Sequence, residues 1–341
     1  MINFSIQQLR NQRDKSKEFF DLYKEFMINE KIELNEQQKS YLLSLAIIFL
    51  NQQDINLKKL GYRIIVRYTT IYKDYIPLYE TSITLGFIPV TKLIEKIVIA
   101  NNNPTFSMIL TSAYMNLFKK DNIYLTEEQK ELYDFTKKTI SSALIVAPTS
   151  YGKSDLIIKL VSQNLDKKVC IVVPTKALLS QTQRRLLDNS TIYKSLNKII
   201  LHPEMYKDED KFVAVLTQER LLTLLKKNKK LNLDLILIDE AHNIFNDTER
   251  DILLYKVMII AKHRNPQTVF KFFSPFIANS NSLLSSNFKI DIESKKISEY
   301  IKIERFYLYD AIDKKRLEMY DQFLNEIIII DDKNTYQNEI D

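Results

Sequence analysis

The sequence predicts an α/β domain with a mostly parallel sheet, preceded by an all-helical N-terminal region, and three observations carry that reading. Over residues 1 to 120 apolar side chains recur at three- and four-residue spacing. After about residue 140, short β-branched runs alternate with helical segments. One glycine, Gly152, stands at a strand-to-helix junction in a chain that has only three glycines. With 341 residues, 45% hydrophobic and 27% charged, the composition is ordinary for a globular protein of about two domains.

In the first region Phe19, Leu22, Tyr23 and Phe26 fall on one helical face. Further helices are expected over 35–52, 57–72, 75–86, 89–101 and 105–118, separated by Gly86, Pro89 and the Asn101-Asn102-Asn103-Pro104 break. Such short helices also suit a helical-repeat array, although no residue signature repeats. Downstream, strands are expected at Ala143 to Val146, Val169 to Val173, Val213 to Leu216, Leu233 to Ile238 and Val269 to Phe273. Continuous apolar runs such as LDLILI suit strands buried on both faces of a parallel sheet, with helices packed on each side.

Composition excludes several chemistries. Three glycines, Gly61, Gly86 and Gly152, against an average usage of about 7%, rule out the G-x-G-x-x-G dinucleotide fingerprint and the kinase glycine-rich loop. Cys170 is the only cysteine, so the chain has no internal disulfide and no C-x-x-C site, which fits a reducing, cytoplasmic setting. The N-terminal MINFSIQQLRNQRDKSK lacks the apolar core of a signal peptide, and runs such as Leu42 to Leu50 fall short of the ~20 residues that span a bilayer. No membrane partner is expected. The net charge of +6 permits polyanion binding without demanding it, and basic pairs such as Lys119-Lys120, Lys137-Lys138 and Arg184-Arg185 read mostly as solvated surface. His202 and His263 read as isolated surface or loop residues, and no structural metal is expected.

Two segments carry chemistry. Ala147, Pro148, Thr149, Ser150, Tyr151, Gly152, Lys153 and Ser154 follow an apolar strand and precede a helix. In that context successive backbone N–H groups and the helix N-terminus attract phosphates, a lysine reaches the β- and γ-phosphates, and a serine hydroxyl ligates Mg²⁺. Asp239-Glu240-Ala241-His242 ends the strand Leu233 to Ile238, where ligands bind in open α/β sheets. Asp239 would hold Mg²⁺ through water, and Glu240 would orient and deprotonate the attacking water. Two adjacent acids at a strand end are also compatible with a helix N-cap.

The A-x-x-x-x-G-K-S loop, the D-E-A-H box and their separation resemble motifs I and II of superfamily 2 helicases, the DEAD/DEAH-box ATPases with their Ski2-like and bacterial defence-type relatives. The resemblance spans about residues 123 to 280 and implies a RecA-like P-loop lobe using ATP and Mg²⁺, with Lys153, Asp239 and Glu240 catalytic and Ser154 and Asp239 at the metal. It implies that Gln129, within Leu125-Thr126-Glu127-Glu128-Gln129, reads adenine, although a solvent-facing helical glutamine fits as well. Pro174, Thr175 and Lys176 resemble motif Ia. Thr217, Gln218, Glu219 and Arg220 resemble the T-P-E-R motif with Gln for Pro. Both motifs grip the nucleic-acid backbone in the family. Both segments also begin helices directly after strands, so their N–H groups and hydroxyls suit phosphates, or simply cap helices. His242 and Ser274 are expected to couple the ATP site to nucleic acid. In Phe273-Ser274-Pro275-Phe276-Ile277-Ala278-Asn279, Phe276 replaces the threonine of the family's S-A-T motif, which puts the coupling role in question.

The domain division expected is 1–120 all-helical, 121–290 RecA-like lobe 1, and 291–341 a connector toward a second RecA-like lobe, in which Glu299 to Ile330 reads as strand, helix and strand. Helicases of this kind have that second lobe, whose Q-x-x-G-R-x-G-R-type arginines reach the γ-phosphate. Gly152 is the last glycine, so the motif does not occur downstream. The second lobe is therefore expected in cis, in a longer protein, or in trans. An arginine finger contributes about 10³–10⁵ in rate, so this chain is expected to bind ATP–Mg²⁺ and hydrolyse it slowly alone. Expected partners are single-stranded or partly duplex DNA or RNA, and a nuclease or other effector subunit, as for helically extended antiphage-defence helicases. The competing reading is a non-catalytic, ATP-regulated protein-interaction module.

Overall fold

In the computed structural model the chain forms two compact units, Met1–Glu127 with Glu299–Asp341, and Glu128–Ser298. The structure describes residues 4–13, 16–29, 31–101, 105–120, 122–148, 151–195, 198–242, 249–275, 291–297, 305–310 and 316–331. Its elements begin with helices α1 (Ile6–Asn11), α2 (Lys17–Ile28), α3 (Glu36–Leu50), α4 (Ile55–Tyr72), α5 (Ile76–Thr84), α6 (Ile88–Asn101) and α7 (Phe106–Asn116), then a hairpin of β1 (Lys119–Lys120) and β2 (Ile123–Tyr124). The α/β unit follows with α8 (Glu127–Lys138), β3 (Ala143–Val146), α9 (Lys153–Ser162), β4 (Lys168–Val172), α10 (Lys176–Asp188) and α11 (Ser190–Ser195). It continues through β5 (Ile199–Ile200), β6 (Phe212–Leu216), α12 (Gln218–Lys227), β7 (Leu235–Ile238), α13 (Glu249–Arg264), β8 (Val269–Ser274) and β9 (Glu293–Lys296). Strands β10 (Phe306–Asp310), β11 (Arg316–Asp321) and β12 (Glu326–Asp331) come last.

The helices of the first unit start where the sequence supplies caps. Ser5 with Gln8 and Asn35 with Gln38 form reciprocal capping boxes at α1 and α3, and Asp54 accepts from the Asn56 and Leu57 N–H groups at α4. Gly61 permits the close crossing of α3 and α4, since a Cβ there would lie 2.6 Å from the Ala46 carbonyl oxygen. The face read from the sequence, Phe19, Leu22, Tyr23 and Phe26, is buried in a core that also takes Leu42, Leu57, Leu60, Ile64 and Ile65.

Met319, Phe323, Leu324 and Ile328 join that same core. Of the segment expected as a connector, Glu299–Asp341 is thus grouped with the helical unit, through antiparallel β10-β11-β12, while β9 belongs to the α/β unit. The two units divide at Glu127/Glu128 and Ser298/Glu299. A further correction concerns Glu299 to Ile330, read as strand, helix and strand. The stretch Arg316–Asp321 is a strand, because Met319 and Asp321 are buried with period two while Tyr320 between them is not.

The second unit is a seven-stranded parallel sheet in the order β5-β6-β4-β7-β8-β3-β9. The apolar runs resolve into two faces. Ala143, Ile145, Val169, Ile171, Leu235 and Leu237 pack with α8 to α11. Leu144, Val146, Cys170, Val172, Ile236 and Ile238 pack with α12 and α13. The five expected strands are present, within two residues at their ends. Two more, β5 and β9, carry no apolar alternation long enough to read: β5 is Ile-Ile, and β9 is the charged edge strand Glu-Ser-Lys-Lys. Among the described residues no helix is long and apolar enough to cross a membrane.

Candidate functional site

The C-terminal ends of the parallel strands gather the candidate residues, and backbone pairing continues one residue past each strand. Ala147 N–H donates to the Ser274 carbonyl at 3.0 Å, Val173 N–H to that of Leu216 at 3.0 Å, and Asp239 N–H to that of Val172 at 2.9 Å. The start of the phosphate-loop segment is therefore tied to Ser274, and the first acid of the D-E-A-H box to the strand that leads into Pro174. Thr149, Ser150 and Phe276 lie outside the described residues.

Gly152 has φ +78° and ψ +25°, the left-handed conformation that a side chain would strain. It precedes α9 without a side-chain cap, and its carbonyl accepts the Asp155 and Leu156 N–H groups. The Lys153 and Ser154 N–H groups, which precede that intrahelical pairing at the start of α9, suit an anion. Lys153 is buried, and its Nζ donates to the Ala147 carbonyl at 2.7 Å, folding back on the first residue of the loop. Burial lowers its pKa from the ordinary lysine value, and the Glu240 and Asp239 charges oppose that shift. The lysine and both acids thus share one electrostatic neighbourhood although they arise from different strand ends.

Burial also raises the Asp239 pKa, reinforced by the like charge of Glu240. The Glu240 N–H, which donates to Asp239 Oδ1 at 3.0 Å, and the Lys153 and Arg185 charges act the other way. Glu240 adopts φ +53°, a rare conformation for a side-chain-bearing residue and one that clusters at functional sites. His242 Nδ1 stands 3.3 Å from Glu240 Oε2. A left-handed glycine, an uncapped helix N-terminus, one lysine and two partly buried acids fit a nucleotide phosphate with Mg²⁺. Lys153 and the loop N–H groups suit the phosphates, and Ser154 and Asp239 suit the metal. Among the described residues no cluster of three or more His, Cys, Asp or Glu could hold a metal by itself.

The flanking segments are more occupied than their sequence suggests. Thr175 caps α10 by accepting the Leu178 N–H, and Thr217 caps α12 by accepting the Arg220 N–H. Each hydroxyl keeps its own proton to donate. Arg220 Nη1 donates to the Leu201 carbonyl at 2.9 Å, and Gln218 is buried with Oε1 lacking a hydrogen-bond partner among the described residues, while Lys176 and Glu219 are exposed. Pro174 and Gln129 are half-buried, the latter on α8. Sequence reading passed over two cations. Arg185, counted with the surface pairs, lies 3.8 Å from Asp155, the residue after Ser154. Lys271, a charge inside the apolar run VFKFFS, is buried in β8. That interruption is the signal by which it could have been found.

Residues 118–277 match the family "Type III restriction enzyme, res subunit". The chain is 33% identical over 116 residues to "Anti-bacteriophage protein B" of Escherichia coli (strain K12), covering 34% of this chain and 15% of that relative. Among solved structures it resembles the "DUF1998 helicase MrfA bound to DNA", with 19% identity, TM-score 0.39, and coverage of 52% of this chain and 28% of that one. It also resembles a "hypothetical ATP-dependent RNA helicase from Sulfolobus tokodaii", with 18% identity, TM-score 0.37, and coverage of 54% and 56%. At these scores the structural likenesses bear on neither substrate nor mechanism. The chain spans well under two thirds of each of these proteins.

Proposed function

We propose, from the premise that residues 118–277 form a helicase-family domain, that this chain is the ATP-binding lobe of a superfamily 2 nucleic-acid helicase or translocase. Domains of this kind use ATP with a divalent metal. The observation that carries the reading is the shared neighbourhood of Lys153, Asp239 and Glu240 beside a left-handed Gly152. In this reading the loop from Ala147 to Ser154, with Thr149 and Ser150, binds the phosphates and Gln129 the adenine. ATP–Mg²⁺ supplies the phosphoanhydride whose hydrolysis drives remodelling. Lys153 neutralises phosphate charge, Ser154 and Asp239 hold the metal, and Glu240 accepts the proton of the attacking water.

Pro174, Thr175 and Lys176, with Thr217 to Arg220, would meet the sugar–phosphate backbone of single-stranded or partly duplex DNA or RNA, and Ser274 and His242 would relay that contact. Ser274 is well placed for this because its carbonyl holds Ala147. A second RecA-like lobe, in cis or in trans, completes the motor, so the 341-residue chain turns ATP over weakly by itself. The similarity to an anti-bacteriophage protein supports a role in bacterial defence beside a nuclease or other effector.

The test is ATP binding and turnover with Lys153→Ala and Glu240→Gln, with and without single-stranded DNA or RNA, before and after adding a second lobe. Turnover that needs the added lobe and vanishes in both variants is the expected result. Nucleotide binding without turnover or nucleic-acid affinity in any condition would instead favour a non-catalytic, ATP-regulated interaction module. One observation supports that second reading: Phe106, Ile109 and Leu110 on the uncharged helix α7, with Leu117 at its C-cap, form an exposed apolar stripe.

A further inference from the structure

Helix α8, which carries Gln129, is fastened to the α/β unit by three lysines from three different elements. Lys271 of β8 donates from Nζ to the carbonyls of Thr139 and Ser141, each at 2.7 Å, where α8 turns into β3. Lys159 of α9 places Nζ 4.4 Å from the ring centre of Tyr133, and Lys295 of β9 lies 2.6 Å from Glu131. Glu293 completes the turn, accepting hydrogen bonds from the Thr139 and Ser141 hydroxyls, and Ser142 Oγ accepts the Phe270 N–H at 3.1 Å.

These restraints differ in weight. Lys295–Glu131 is an exposed pair of the kind that contributes little, and the Lys159–Tyr133 contact is a modest cation–π interaction. Lys271 is 3% exposed between Phe270 and Phe272, and its ammonium meets two carbonyls just past a helix C-terminus, where the helix dipole favours a cation. An apolar side chain would fill that strand position without desolvating a charge. What the lysine adds is a fixed geometry between the end of α8 and the start of β3, and only β3 separates that turn from Ala147.

We propose that Lys271 is a positioning residue for base recognition, setting the placement of α8 and its Gln129 relative to the phosphate loop, with Lys159 and Lys295 as lesser restraints. The inference rests on the ATP-binding reading above. Its test uses the full chain, methylanthraniloyl-labelled ATP and GTP, and inorganic tripolyphosphate as a competitor that has no base.

Lys271→Met removes the charge at similar length. Its ATP affinity should fall about tenfold, the equivalent of ~1.4 kcal/mol, while tripolyphosphate affinity stays within about twofold, so that the ATP preference over GTP collapses. The double variant Tyr133→Leu with Lys295→Ala leaves the core lysine in place and should lose about two- to threefold in the same direction. It keeps the test open should Lys271→Met fail to fold. Both variants keeping the wild-type ATP:GTP ratio would overturn the proposal, as would a parallel loss of tripolyphosphate binding. Wild-type binding that depends on Lys153 but does not distinguish the bases would overturn the positioning role alone. Binding of neither nucleotide in a Lys153-dependent way would overturn the ATP-site reading and this inference with it.

Discussion

The buried acid of the helical unit and the buried charges at the strand ends of the α/β unit are held in opposite ways. In the helical unit Asp321 is fully buried, and its carboxylate accepts from the Tyr23 hydroxyl, Arg63 Nη1 and the Phe323 and Leu324 N–H groups, at 2.9 to 3.1 Å. Among the described residues Arg63 Nε and Nη2 find no hydrogen-bond partner, and the guanidinium lies over the Phe323 ring. In the α/β unit Lys153 and Asp239 are shifted toward their neutral forms by burial, because their surroundings compensate their charges incompletely. A carboxylate with every lone-pair direction engaged holds an architecture together. Charges left under-compensated at the end of a parallel sheet are poised for a ligand that brings the missing charge.

The comparison can be broken most directly at Asp321. Asp321→Ala strands Arg63 and should destabilise the helical unit by about 3–5 kcal/mol in chemical denaturation, with Lys153-dependent nucleotide binding persisting at low denaturant. Loss of both together would mean that the buried pair also serves the site. Lys153→Ala should do the reverse: turnover falls about 10²- to 10³-fold in an assay with the completed motor, while the melting temperature holds or rises.

The buried Lys271 offers a pH test. Burial lowers its pKa to about 8, below the ordinary 10.5. Between those values the folded chain binds fewer protons than the unfolded chain, so stability rises with pH across the window and is lost as pH falls through about 8. Relative to Lys271→Met, wild type should gain on the order of 1–3 kcal/mol from pH 8 to 10.5. A flat difference would show that the ammonium is fully compensated.

Asp239→Asn should stabilise the ligand-free chain by about 1 kcal/mol while Mg²⁺-dependent nucleotide binding disappears. An unchanged or lowered melting temperature would place Asp239 with Asp321 as an architectural acid. The smallest effects belong to the caps. Thr175→Ala and Thr217→Ala should each cost about 1 kcal/mol, and Lys176→Ala should reduce the salt slope of nucleic-acid binding by about one, read by titration at several salt concentrations.

Much of this is legible in the sequence alone. The helix spans of the first region, the strands Ala143–Val146, Phe212–Leu216 and Leu235–Ile238, and the placement of Lys153 and Asp239 at strand ends follow from periodicity and from one glycine in the right place. The return of residues 316–331 to the helical core was not legible. Asp321 declares its burial only through Tyr23 and Arg63, far away in the chain, and Met319 only through the helical core that it joins. Nor was β9, whose Glu-Ser-Lys-Lys becomes a strand because it pairs with β3.

By itself, the sequence determined the fold class, the helix spans and the strand ends beside which Lys153 and the acid pair stand, since these depend on local spacing, periodicity and backbone freedom at Gly152. Tertiary structure alone decided which hydroxyls and cations are already engaged, as with Thr175, Thr217 and Arg220, and which lysine within an apolar strand became a clamp. The physical reason is that hydrogen-bond satisfaction and desolvation are properties of neighbours brought together by folding, and adjacency in the chain does not encode them.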